Sequence, residues 1–176
     1  SLQQKLGVTT IMVTHDQEEA QSMADRIFVM KDGEIIQVGT PTEIYKKANS
    51  PFIADFIGVM NFIPATIVKN NKAQCISASI DCDTQDFQDN QSIQLAIRPE
   101  DIQLNVEKSH NNVLETTIKE IEFLGSYQRL YLEAIDVTEN LIIVDLPNSS
   151  EQKINLVLNN KLNISFPMDN IRVYPN

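Results

Sequence analysis

A histidine stands where a short apolar run gives way to a helix start, and this junction has the residue types best suited to chemistry. Residues 9–14 are rich in β-branched side chains, which predicts a strand of a covered parallel sheet. His15 then lies at the carboxyl end of that strand, the edge where open α/β sheets bind ligands. Its imidazole can donate a hydrogen bond to an anion such as a phosphate. The alternative is a structural histidine satisfied by neighbouring backbone.

The residues after His15 have the pattern of a capped helix. Asp16 is a good N-cap, and Glu19 stands three residues later, at the spacing of a capping box. We therefore expect the helix to start here, with its amide groups and the positive end of its dipole close to His15. That placement favours an anion at the junction.

Turn and helix signals follow this junction closely. Asp32-Gly33 separates two apolar runs and predicts a hairpin, because a two-residue turn of the favoured hand needs positive φ. Thr40-Pro41-Thr42-Glu43 combines an N-cap, a proline at the first helical position and a glutamate at the third. This helix is expected to end near Asn49, and Pro51 opens another short helix.

Beyond residue 61 the pattern changes to many short apolar runs separated by polar turns. Regular short strands of this kind indicate a barrel or a sandwich. We expect the domain boundary within residues 58–61. The candidate strands are 62–69, 73–80, 92–98, 102–106, 113–123, 127–134, 141–146, 153–158, 162–166 and 171–174.

The first sixty residues closely resemble the switch-histidine region of ABC-transporter ATPases. The resemblance covers residues 5–64 densely, and its later part is similar to the end of that domain in importers of the maltose, polyamine, iron and phosphonate type. The matching stretches are 13–20 (VTHDQEEA), 24–27, 30–35, 37–45 and 52–58.

This resemblance implies roles for three residues. His15 matches the switch histidine, which hydrogen-bonds the γ-phosphate of ATP and helps to align the attacking water. Asp16 and Gln17 match the loop that changes position between open and closed dimers, so we assign them to the switch and the interface. For Asp16, helix capping alone is the alternative.

A second resemblance lies in the later half of the chain. Residues 96–102 are similar to the Ile-Arg-Pro-Glu string of the transport-associated OB-type (TOBE) domain, which follows ABC ATPase domains. Residues 122–127 resemble its Leu-Gly turn, where Gly125 allows a positive φ between two long strands. Arg98 and Glu100 either pair with each other or act across a subunit contact, and Arg98 has anion binding as a third alternative.

These features predict an α/β tail of a P-loop ATPase domain followed by an all-β OB-type barrel or sandwich. The first part spans residues 1–60, with a switch-histidine strand, a hairpin and two short helices, and the second spans residues 61–176. The expected function is that of the C-terminal portion of an ABC importer's ATPase subunit, which couples ATP hydrolysis to solute uptake. The β domain is expected to serve regulation and dimer contacts.

We expect the chain to be a truncated form that does not hydrolyse ATP by itself. It begins with Ser1, and we find no Gly-x-x-x-x-Gly-Lys-Ser/Thr phosphate loop, signature loop or magnesium-binding carboxylate strand in its residues. The resemblance implies ATP and Mg²⁺ for the complete protein, and we expect neither to bind this chain.

The implied partners are a second copy of the ATPase subunit and the transmembrane permease subunits, with a regulatory ligand or protein at the β domain. The implied location is cytoplasmic, peripheral on the inner face of the cell membrane. Two other functions are open: a freestanding regulatory module that binds a small molecule or a protein, and a purely structural dimerisation domain.

Charge and cysteine usage exclude some functions. The net charge is −10, and residues 61–176 carry 9 basic and 16 acidic side chains, whereas OB folds that bind nucleic acid present a basic groove. We therefore expect no nucleic-acid partner. Cys75 and Cys82 lack metal-ligand spacing and indicate reduced thiols, and His110 lies in a polar turn, so no metal site is expected.

Overall fold

The computed structural model describes residues 7–69, 71–107, 111–149 and 156–176. The chain divides into two compact units, Ser1–Gly58 (the N-terminal unit) and Val59–Asn176 (the β unit). Two predictions fall outside the described residues: the turn that contains His110, and strand residues 153–155.

The N-terminal unit consists of short elements around a hairpin. Strands β1 and β2 pair antiparallel, and Asp32 (φ 52°) and Gly33 (φ 84°) form the turn between them. The predicted hairpin is therefore confirmed. No described helix is both long and apolar enough to cross a bilayer. The elements are α1 (Gln17–Met23), β1 (Ile27–Lys31), β2 (Glu34–Gly39), α2 (Pro41–Lys46) and α3 (Pro51–Phe56).

The strand predicted over residues 9–14 is not formed in this structure. These residues have no regular structure, and no described strand pairs with them. Ile11 is 90% exposed and Val13 is 96% exposed. Because a strand exists only where a neighbouring strand takes its backbone hydrogen bonds, β-branched residues alone do not form one here.

Both helix starts after the hairpin are confirmed. In α2, the hydroxyl of Thr40 accepts from the N–H of Glu43 (3.3 Å), and the Glu43 carboxylate accepts from the N–H of Thr40 (2.8 Å). The hydrogen bonds from the Thr40 backbone and side chain lower the pKa of Glu43. Ser50 caps α3 by accepting from Ile53 N–H. Helix α2 ends at Lys46, earlier than predicted, because the side chain of Gln37 binds Lys47 O and Asn49 N.

The hairpin carries apolar side chains on both faces. One face contributes the buried residues Ile27 and Val29. On the other face Phe28 lies opposite Val38 and Met30 opposite Ile35, and all four are exposed. Apolar residues on both faces are typical of strands that are covered on both sides.

In its described residues, the β unit forms two five-stranded antiparallel sheets. The first has the order β12-β6-β3-β4-β5, and the second has the order β10-β9-β8-β11-β7. The strands are β3 (Asn61–Val68), β4 (Lys72–Gln74), β5 (Ser79–Asp81), β6 (Ser92–Ile97), β7 (Gln103–Leu104), β8 (Val113–Phe123), β9 (Tyr127–Glu133), β10 (Ile142–Pro147), β11 (Lys161–Ser165) and β12 (Arg172–Pro175).

Both sheets contribute to a single hydrophobic core. In β3 every second residue points inward, as expected for a sheet with one buried face. The prediction of an all-β barrel or sandwich is confirmed by this arrangement. Fully buried members of the core include Ile63, Ile67, Ile80, Ile93 and Leu95 from the first sheet, and Ile118, Leu130, Leu132, Val144 and Ile164 from the second.

Three of the predicted strands differ from the structure. The run 73–80 forms two strands, β4 and β5, because the chain turns where Cys75 N–H donates to Ala78 O (2.9 Å). The run 102–106 is shortened to β7, since Asn105 adopts φ 54°. Of the run 153–158, residues 156–158 are not in a strand.

The buried cysteines give a chemical test of the β unit. Burial raises the pKa of both Cys75 and Cys82 to about 11. Because the thiolate is the reacting form, we expect iodoacetamide at pH 8 to label the native chain on the order of a hundredfold more slowly than the chain in urea. Mass spectrometry after timed labelling measures this, and rapid labelling of either native cysteine would contradict the fold.

Candidate functional site

His15 lies exposed in the bend that leads into α1. The next residue caps the helix: Asp16 Oδ1 accepts from Glu19 N–H at 3.0 Å. The N–H of Asp16 donates to Thr14 Oγ1, also at 3.0 Å, so Thr14 takes the reciprocal place that a capping box gives to a glutamate. The predicted N-cap is confirmed, and the imidazole of His15 is open to solvent beside it.

The charges around this junction limit what it can bind alone. Glu18 and Glu19 occupy the first turn of α1, where their carboxylates offset the positive end of the helix dipole. Gln17 is half-buried beside them. His15 is therefore suited to donate one hydrogen bond to a phosphate whose charge is balanced by other groups.

A second group of polar side chains lies where the β unit begins. Asn61, 6% exposed, opens β3. Its Oδ1 accepts from Ile143 N–H (2.7 Å), and its Nδ2 donates to the carbonyls of Ile143 (2.8 Å) and Ile97 (3.2 Å). Ile143 belongs to β10 in the second sheet and Ile97 to β6 in the first. One carboxamide thus joins the two sheets.

Arg98 lies in the same place. Its side chain is buried, and Nη1 donates to Val59 O at 2.9 Å. The turn Pro99–Asp101 that follows packs against β10. We call Val59, Asn61, Arg98 and Ile143 the boundary seam. The buried position of Arg98 favours an anchoring role over the display of its charge to a surface anion, and Glu100 is exposed.

Tyr174 of β12 lies within the electrostatic reach of this seam. Burial raises the pKa of the Tyr174 phenol, while the positive charges of Arg172 and Arg98 oppose that shift. Arg98, which follows β6, is therefore close to β12, the neighbour of β6 in the first sheet.

A matching carboxamide joins the sheets at β5. Asn112 Oδ1 accepts from Asp81 N–H (2.7 Å), and Nδ2 donates to the carbonyls of Asp81 (2.9 Å) and Phe166 (3.0 Å). Asp81 ends β5 in the first sheet, and Phe166 follows β11 in the second. The two asparagines make the same set of three contacts in different places.

Sequence reasoning missed both asparagines. A signal existed for Asn61, because it occupies an inward position in the alternating run 61–67, and a buried amide needs partners. Asn112 offers no such signal, since it stands in a polar turn.

Gly125 lies at the tip of the β8–β9 hairpin, with φ 78° as predicted. The side chain of Asn148 donates to its carbonyl, and Asn148 N–H donates to Ser126 O. These bonds fix a tip on which Phe123 is 71% exposed.

A shallow cleft of about 260 Å³ opens on the β unit. The hydroxyl of Ser77 donates to the carboxylate of Asp136, and Glu115 pairs with Lys161 at the rim. No group of three His, Cys, Asp or Glu residues suited to a metal occurs in the described ranges. The cleft is lined by Ser77, Ala78, Val113, Leu114, Glu115, Ala134, Asp136 and Val137.

In a comparison with known protein families, residues 95–173 match the TOBE domain. An Fe(3+) ions import ATP-binding protein, FbpC 2 of Rhizobium meliloti (strain 1021), is 36% identical over 98% of this chain and 47% of its own length. The spermidine/putrescine import ATP-binding protein PotA of Borreliella afzelii (strain PKo) is 43% identical over 75% of this chain and 38% of its own. The chain spans about half the length of such relatives or less.

Among solved structures, the cytoplasmic molybdate-binding protein ModG, in a molybdate-bound crystal form, is similar in fold. The TM-score is 0.54 at 10% identity, over 74% of this chain and 99% of ModG. At that identity the likeness concerns the fold alone, and it supports an OB-like assignment of the β unit.

The anchoring role of Arg98 is tested by its stability contribution. We expect Arg98→Met to lower the free energy of unfolding by about 1–3 kcal/mol, because the carbonyl of Val59 loses a buried donor. Arg172→Met is the matched control, since Arg172 is exposed on β12, and its effect should stay within about 0.5 kcal/mol. Urea denaturation measures both, and equal effects of the two variants would contradict the anchoring role.

Proposed function

We propose that the chain supplies the switch segment and regulatory domain of an ABC importer's ATPase subunit, because residues 95–173 match the TOBE domain and 98% of the chain aligns with an import ATP-binding protein. The observation that carries this proposal is the identity to such a protein along nearly the whole chain. In that role the subunit couples ATP hydrolysis to solute uptake.

Residues 1–60 are, in this proposal, the α/β end of a P-loop ATPase domain, and residues 61–176 are the appended β domain. Two features of the N-terminal unit support this. Ile11 and Val13 are exposed although they suit a covered strand, and the hairpin has apolar side chains on both faces. The remaining half of the relatives' length provides protein that can cover them.

His15 acts in this proposal as the switch histidine. ATP with Mg²⁺ supplies the phosphoryl group, and phosphoryl transfer depends mainly on positioning and charge stabilisation. The exposed imidazole beside the N-cap Asp16 can donate a hydrogen bond to the γ-phosphate and help to orient water. Asp16 and Gln17 belong to the moving switch and interface, where the cap at Asp16 fixes the start of α1.

The β unit serves regulation and dimer contacts in the complete protein. The implied partners are a second ATPase subunit, the transmembrane permease subunits and a regulatory ligand or protein, at the cytoplasmic face of the membrane. Arg98, Glu100 and Gly125 belong to this domain, with Arg98 as an anchor of its first residues. By itself the chain is proposed not to hydrolyse ATP.

The cleft favours a second candidate function, a freestanding regulatory module for small molecules. Its lining is mostly polar and includes the carboxylates of Glu115 and Asp136, which suit a small ligand with cationic groups. An oxyanion would meet the like charge of Asp136 there. Thermal unfolding with a short aliphatic diamine or with molybdate tests this, and stabilisation by the diamine that Asp136→Asn abolishes would support the module.

The switch role predicts a separation of binding from turnover. In the full-length protein, we expect His15→Ala to retain ATP binding and to lose most ATP hydrolysis, at least about a hundredfold, because one positioned polar group is removed from the reacting phosphate. Fluorescent-nucleotide binding and phosphate release measure the two steps.

The control is His110→Ala, which removes the chain's other histidine. This variant should hydrolyse ATP at the unmodified rate. Normal turnover in His15→Ala, or an equal loss in both variants, would overturn the assignment of His15.

A further inference from the structure

In the boundary seam, the side chain of Asn61 pairs with backbone groups that a neighbouring strand would otherwise bind. Among the described residues, β10 is an edge strand of the second sheet, so alternate residues direct both N–H and C=O away from β9. At Ile143 these two groups meet the carboxamide of Asn61, at 2.7 and 2.8 Å. An unpaired edge peptide is thereby satisfied by one residue of the first sheet.

The same short segment is held at its other end. Arg98 donates to the carbonyl of Val59, two residues before Asn61. Val59 is the first residue of the β unit, directly after Gly58 with φ 138°. The boundary segment, Val59–Asn61, is thus fixed to the end of β6 on one side and to β10 on the other.

We propose that Asn61 and Arg98 are positioning residues that couple the β10 edge to the boundary segment. A movement of β10 changes the path of Val59–Asn61, and a movement of that segment changes the pairing of Ile143. This inference rests on the proposed regulatory role of the β unit. A ligand or protein that shifts β10 would therefore move the segment Val59–Asn61, which connects the β unit covalently to residues 1–58.

The coupling is testable because Arg98 Nη1 donates to Val59, whereas the Ile143 peptide is bound by Asn61. If the two act together, loss of the Arg98 anchor loosens the boundary segment, Asn61 and then the Ile143 peptide. We expect Arg98→Met to speed amide exchange of Ile143 about tenfold, the effect of losing one buried hydrogen bond. Asn61→Ala should speed exchange across residues 59–61 and at Ile143.

Asn112→Ala is the matched control. Asn112 makes the same three kinds of contact at β5, so its loss carries a similar cost in stability. It should speed exchange of the Asp81 amide and leave Ile143 and residues 59–61 unchanged relative to the rest of the core.

The experiment is amide exchange by NMR on this 176-residue chain and the three variants. Faster exchange at Ile143 in Arg98→Met relative to the rest of the core, with Asn112→Ala confined to β5, supports the coupling. Unchanged exchange at Ile143 in Arg98→Met, or equal effects of Asn112→Ala there, overturns it. If Asn61→Ala does not fold, Arg98→Met and the milder Arg98→Lys decide the outcome. Failure of the coupling leaves the importer-subunit proposal, which depends on ATP turnover, unaffected.

Discussion

Two asparagine carboxamides join the sheets of the β unit, and its closed core depends on them. An edge strand leaves N–H and C=O groups without partners, and a peptide buried in that state costs about 1–3 kcal/mol. A carboxamide has a donor and an acceptor in the geometry of a peptide group, so Asn61 satisfies Ile143 and Asn112 satisfies Asp81. Each side chain thereby closes a gap that would otherwise need another strand. The apolar residues of both sheets can then share one core, because the backbone groups of Ile143 and Asp81 keep hydrogen-bond partners.

Local signals allowed much of the fold to be predicted from sequence. Strand β8 occupies the predicted residues 113–123, the Asp32-Gly33 hairpin and the cap at Thr40 are present, and α3 starts at Pro51 as predicted. These features depend on near neighbours in the chain. The predictions failed where residues distant in sequence determine the structure. No described strand pairs with residues 9–14, and in the predicted strand 73–80 the amides of Ser77 and Ala78 donate to Asp136 O. The site was predictable in the same measure, since Asp16 caps its helix locally, whereas Asn61 binds a residue 82 positions away.

The two units differ in how fully their apolar side chains are buried and their polar groups are paired. The β unit has a continuous core, two closed gaps and a buried arginine that anchors its first residues. The N-terminal unit presents a capped helix and an accessible histidine, yet its apolar segments face solvent and the acidic turn of α1 disfavours an anion. In the proposed switch role, His15 acts on a phosphate that other groups bind and whose charge they neutralise. This difference agrees with relatives that are ATP-binding proteins of about twice the length.

We propose that residues 9–14 belong to a larger α/β domain and become a strand only when that domain covers them. Amide exchange of these residues, compared between this chain and the proposed longer protein, decides this. We predict exchange close to the rate of an unstructured peptide in the 176-residue chain, and strong protection in the longer protein. Protection in the short chain, or its absence in the long one, would contradict the account.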